Sequence, residues 1–145
     1  MNTNTNTSLT TVLDLLYART VLAREVDGPL GSFHGLALHD LALLLELREA
    51  GGRMRRVDLA ARLGITTSGV ARQLGPLERR GLVGREPSPG DARLAIVVLT
   101  ESGERIAGEA LVTAEDASQR ALGKLWDADE AAQLTSLMAP VRGKH

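Results

Sequence analysis

The stretch LAARLGITTSGV, residues Leu59 to Val70, decides the fold. Ala60 stands where two helices meet and only a small side chain fits. Gly64 occupies the turn between them, where positive φ is required. Val70 is the branched apolar residue that anchors the second helix on the first, and Leu59, Leu63 and Ile65 supply the surrounding apolar contacts. This spacing predicts a helix-turn-helix, with a short helix over about Val57 to Leu63 and a second over about Thr67 to Arg80, ended by Gly81. A second helix held at a steep angle can enter the major groove of double-stranded DNA and present its N-terminal residues to base edges. Its outer side offers Thr67, Ser68, Arg72 and Gln73. Arginine pairs with guanine and glutamine with adenine, while hydroxyls suit phosphate oxygens.

Strand-like runs follow at Leu82–Glu86 and Leu94–Leu99, separated by the turn formers Pro87, Ser88, Pro89, Gly90 and Asp91. This predicts a β-hairpin with a long tip flanked by Arg85 and Arg93. Such a loop can follow a phosphate backbone or insert arginine into a narrow minor groove. Asp91 is placed to hold the Arg93 guanidinium. Upstream, the Asn/Thr alternation of residues 1–8 reads as a disordered tail. A helix over about Leu9 to Val26 carries two apolar stripes, as if covered on both sides. Gly28, Pro29, Gly31 and Gly35 are expected to break it. The next helix runs over about Leu38 to Ala50. Downstream, Thr100 is a good N-cap for a helix reaching about Leu125. That helix bears Ala107, Ala110, Ala114, Ala117 and Ala121 at heptad spacing, a seam that lets another helix approach closely. Asp127 and Glu130 form a capping box for a last helix with Leu134, Leu137, Met138 and Val141 on one stripe.

The 145 residues suffice for one domain with a hydrophobic core. The chain has no cysteine, which excludes disulfides, thiolate metal sites and thiol chemistry. Aromatic residues make up only 2%, against the base-stacking platforms of single-strand binders. No run of apolar residues is long enough to span a membrane, the start lacks the pattern of a secretory signal, and the expected compartment is the cytoplasm. The formal net charge of −1 conceals a segregation: residues 53–93 hold nine arginines and four acidic residues, a local charge of +5 between two acidic flanks. Local positive charge attracts polyanions whatever the global sum. No motif for nucleophilic, phosphate-binding or zinc-protease chemistry is present, so no enzyme, cofactor or metal is expected.

The stretch from Val57 to Gly103 resembles the multiple antibiotic resistance regulator (MarR) family of winged-helix transcription factors. The resemblance lies in Leu59-Ala60, Leu77-Glu78 before Gly81-Leu82-Val83, Arg85, Asp91 with Arg93, and Leu99-Thr100 before Gly103. It implies a mainly α fold with a small β-hairpin wing. The winged helix-turn-helix lobe would span residues 36–99, and residues 9–35 and 100–145 would form a helical dimerisation region of the same single domain. It further implies a homodimeric repressor on a palindromic operator, released by a small, often aromatic, anion. By position Arg93 resembles the wing arginine that reaches the minor groove, Asp91 resembles its partner, and Thr67, Ser68, Arg72 and Gln73 fall where the family contacts DNA. Ala92 replaces a common wing arginine, and Pro76 and Gly75 should bend or loosen the second helix.

Tyr17, Arg19, His34, His39 and Arg48 are the candidates for an effector pocket at the junction of the two regions. Two other readings stay open. One is a metal-responsive regulator of the same fold using His34, His39, Asp40 and Glu46. The other is a protein-interaction module whose winged helix is not used on DNA.

Overall fold

The computed structural model describes residues 3–142, with side chains described for residues 7–91 and 94–142. Six helices and three strands follow one another as α1 (Thr3–His34), α2 (Leu38–Glu49), β1 (Arg53–Arg55), α3 (Arg56–Leu63), α4 (Thr67–Arg79), β2 (Val83–Ser88), β3 (Asp91–Leu99), α5 (Glu101–Gly123) and α6 (Ala128–Arg142). The mainly α architecture with a small antiparallel sheet is the expected one.

The first helix departs most from expectation. It begins at Thr3, so the stretch expected to be a tail up to Ser8 lies in its first turns. Once the apolar turns downstream are helical, each further residue adds one backbone bond without a new nucleation cost. It then runs through Gly28, Pro29 and Gly31 to His34 and breaks only at Gly35, whose φ is +64°. Val26 and Leu30, on either side of Pro29, are buried in the core, and that packing outweighs the cost of an internal proline.

The second half of α1 lies antiparallel on α5. Glu25 accepts a 2.9 Å hydrogen bond from Lys124, and nine residues on, His34 Nε2 bonds Thr113 Oγ1 at 2.8 Å. The Lys124 ammonium holds the Glu25 carboxyl below the usual carboxylate range. The alanine seam of α5 faces this contact: Ala107, Ala110, Ala114, Ala117 and Ala121 are all buried. The helix that the seam admits is therefore α1 of the same chain. The first half of α1 runs beyond the body, leaving Val12 62% and Tyr17 61% exposed, with Leu9, Leu16 and Val21 beside them. On α6, Leu137 is 75% exposed and Val141 is exposed with it, whereas Leu134 and Met138 face α1. The capping box is formed: Glu130 N donates to Asp127 Oδ1 at 2.8 Å, and Asp127 N donates to Glu130 Oε1 at 3.2 Å.

The sheet has the order β1-β3-β2. Strand β1 is three residues long and had no expectation from the sequence; Met54 pairs opposite Val97 and points inward between two exposed arginines. The hairpin strands are longer than expected and the tip correspondingly shorter, since Ser88 pairs with Asp91 across Pro89 and Gly90. Pro87 is tolerated because β2 is an edge strand, and the register shifts between Pro87 and Ser88. Thr100 caps α5, its Oγ1 accepting from Gly103 N at 3.0 Å and donating to Gly81 O at 2.6 Å. Gly103 is buried, and a Cβ there would overlap the Leu82 carbonyl oxygen.

Candidate nucleic-acid interface

The turn between α3 and α4 is built on Gly64, whose φ of +67° no branched residue adopts without strain. Its amide and that of Ile65 close the last carbonyls of α3, bonding Ala61 O and Ala60 O at 3.2 and 3.1 Å. Ala60 is buried where α3 crosses α4, and Val70 is fully buried against it. Thr66, which sequence reasoning left in the turn, is the N-cap of α4: its hydroxyl accepts from Gly69 N at 3.0 Å and meets Ser68 Oγ at 3.2 Å. The T-T-S run before an apolar periodicity was the available signal for that cap.

Val70, Leu74 and Leu77 form the buried side of α4, and Thr67, Ser68, Ala71 and Arg72 lie exposed on the other. Pro76 neither bends the helix out of register nor ends it; α4 continues to Arg79. Leu74 and Leu77 are both buried, and Pro76 itself is on the solvent side, where the carbonyl that loses its donor can be hydrated.

Two side chains of this segment that are expected to contact DNA also have partners within the chain. Gln73 Nε2 donates to the His39 carbonyl at 3.0 Å. Arg85 pairs with Glu78 of α4 at 2.8 Å. At the C-cap of α4, Arg80 donates to Gly35 O at 2.9 Å and His34 O at 3.0 Å. The middle of the helix and its C-terminal end are thus tied to the corner between α1 and α2. Arg80→Ala removes two charge-assisted bonds at an exposed site. It should lower affinity for a specific duplex by about 1 kcal/mol, with no change in the salt dependence of binding, because no phosphate contact is lost. Fluorescence anisotropy across a salt series checks both parts.

The basic cluster is unevenly committed. Arg53 pairs with Glu86, Arg55 with Asp58 at 2.8 Å, and Arg62 with Glu46 at 3.5 Å. The hydrogen bond that Arg55 donates to Asp58, and then the carboxylate's charge, hold the Arg55 guanidinium above its ordinary value. Among the described residues, Arg56, Arg72 and Arg79 have no carboxylate partner. The backbone of Arg93 runs in β3, but its side chain lies outside the described residues, and Asp91 sits at the turn end of the same strand.

Of the effector candidates, Arg19 and His39 line one open cavity of about 660 Å3 between α1 and α2, together with Arg24, Asp27 and Leu38. Tyr17 is out on the exposed half of α1, His34 is bonded to Thr113, and Arg48 pairs with Glu104 of α5 at 2.8 Å. Among the described residues, no three histidine, aspartate or glutamate side chains stand close enough to share a metal ion. No single helix among the described residues is long and apolar enough to cross a membrane.

Comparison with known proteins places this geometry. A model of the MarR family matches residues 34–94, the whole of the helix-turn-helix and most of the hairpin. Sco3205, a MarR family transcriptional regulator of Streptomyces coelicolor solved in complex with DNA, is 26% identical. It superposes with a TM-score of 0.79 over 92% of this chain and 84% of its own. AbsC, a MarR family regulator of the same organism, is 26% identical with a TM-score of 0.77 over 93% of this chain and 91% of its own. A probable transcriptional regulator of Pseudomonas aeruginosa is 25% identical with a TM-score of 0.79, over 89% and 94% respectively. No curated protein matches the sequence.

Proposed function

On the premise that the chain is a winged-helix protein of the MarR family, we propose that it is a sequence-specific, double-stranded-DNA-binding transcriptional regulator and not an enzyme. It acts in the cytoplasm as a homodimeric repressor on a palindromic operator. The observation that carries this reading is α4: a helix fixed to the body at its middle and its C-terminal end, with Thr67, Ser68 and the unpaired Arg72 on its outer side. Arg72 reads a base edge, Thr67 and Ser68 engage phosphates, and Arg93 reaches the minor groove from the wing. Gln73 and Arg85 act from behind, holding α4 in place through His39 and Glu78. In vitro selection from a pool of random duplexes tests it. Enrichment of an inverted repeat with half-sites about 10 base pairs apart is the expected result, and a pool that does not enrich removes the reading.

The dimer is supported by the apolar halves that the chain leaves uncovered, the start of α1 and the outer side of α6. Together they exceed the scattered apolar residues a monomer exposes. Sedimentation velocity should give a dimer at micromolar concentration, and Leu16→Glu with Leu137→Glu should give a folded monomer that no longer binds the repeat. Wild type sedimenting as a monomer overturns this part.

The effector is a small anion held in the cavity of Arg19, Arg24 and His39, where two guanidinium groups face an apolar wall. The cavity touches His39, whose carbonyl holds Gln73, so a ligand there acts on the base of the recognition helix.

A further inference from the structure

We infer that Arg56 is a phosphate anchor in a notch between α3, α4 and the wing, separate from the base-reading side of α4; the inference rests on the DNA-binding reading above. The notch, of about 150 Å3, is lined by Arg55, Arg56 and Val57 at the start of α3, Thr67 in the first turn of α4, and Leu94 and Ala95 of β3. Its place is what matters. A recognition helix in the major groove and a wing over the adjacent minor groove have one phosphodiester backbone running between them. The notch lies where the entering end of α4 and the wing strand converge, and so on the path of that backbone.

The chemistry of Arg56 fits the position. Its side chain is partly buried, and its Nε is sealed from the surface with no hydrogen-bond partner. The arginines around it are committed: Arg53 to Glu86, Arg55 to Asp58, Arg62 to Glu46. Asp58, the acidic residue of the same helical turn, is occupied by two hydrogen bonds from Arg55, at 2.8 and 3.2 Å, which offset its repulsion of an incoming anion. With Nε sealed off, the terminal nitrogens of the Arg56 guanidinium, which has no carboxylate partner among the described residues, are the donors that a phosphate oxygen entering the notch meets. The exposed Thr67 on the facing wall offers a hydroxyl to the same group.

The test is a salt titration of Arg56→Met, which keeps the length of the stem, on the selected operator and on a mixed-sequence duplex. The expected result is a slope of log affinity against log salt smaller by about one per subunit. Affinity should fall about tenfold on both duplexes alike, and Arg56→Lys should recover the slope but only part of the affinity. If Arg56→Met does not fold by circular dichroism, Arg56→Gln decides by the same slope. A folded variant with the wild-type slope, or a loss confined to the operator, overturns the anchor while leaving the DNA-binding reading intact. Wild type that binds neither duplex removes that reading and the anchor together.

Discussion

Arg72→Ala is expected to weaken binding to the selected operator by roughly 1–3 kcal/mol, about ten- to a hundredfold. Arg72 stands on the exposed side of α4 with no protein partner, two turns from the Thr66 cap. In the proposed complex a guanidinium there would pair with a guanine edge through two hydrogen bonds, which another base pair would not offer. The loss should therefore be much smaller on a scrambled duplex, and selection with the variant should show relaxed preference at one position per half-site. Arg93→Ala, a wing contact, should weaken both duplexes equally. Parallel titrations of the two variants separate reading from anchoring. An equal loss on both duplexes for Arg72→Ala would reduce that residue to a phosphate contact.

Gly103→Ala should cost about 2–3 kcal/mol of stability, read as a lower urea midpoint with an unchanged m-value. The first turn of α5 lies against the strand start at Leu82, and the added methyl meets the Leu82 carbonyl, which is backbone and cannot swing aside, as well as the Leu99 side chain. The Thr100 cap bonds both Gly103 N and Gly81 O, so the helix cannot slide away without losing a cap as well. Gly108→Ala, with open space at its Cβ position, is the matched control and should be neutral or slightly stabilising. Equal midpoints for the two variants would show that α5 repacks freely at its start.

The helix-turn-helix was legible because each of its parts is a local rule: small at Ala60, positive φ at Gly64, branched and apolar at Val70. The Asp127–Glu130 box was legible for the same reason. Long-range pairing was not. Strand β1 is too short to show a period, and Met54 is buried only because β3 comes back beside it. Pro29 read as a break because proline is judged by its neighbours in sequence. The continuing spacing of Leu22, Val26 and Leu30 would have carried the helix through it. The alanine seam was rightly read as a close helix contact, but nothing in its spacing says which helix arrives. In the site, residue types pointed to DNA contacts for Gln73 and Arg85. Their partners, the His39 carbonyl and Glu78, are set by the tertiary fold.

The projecting start of α1 carries a consequence for how the protein behaves in dilution. Most of its apolar side chains stay exposed in the single chain, so in the proposed dimer part of the favourable burial would belong to association and not to folding. Thermal midpoints should then climb with protein concentration, and the folded population should shrink as the protein becomes scarce. A regulator built this way senses its own abundance. For the proposed homodimeric repressor, dilution would remove operator-binding species and lower the stability of the fold together, and the onset of repression would be steeper than the binding curve of a preformed dimer.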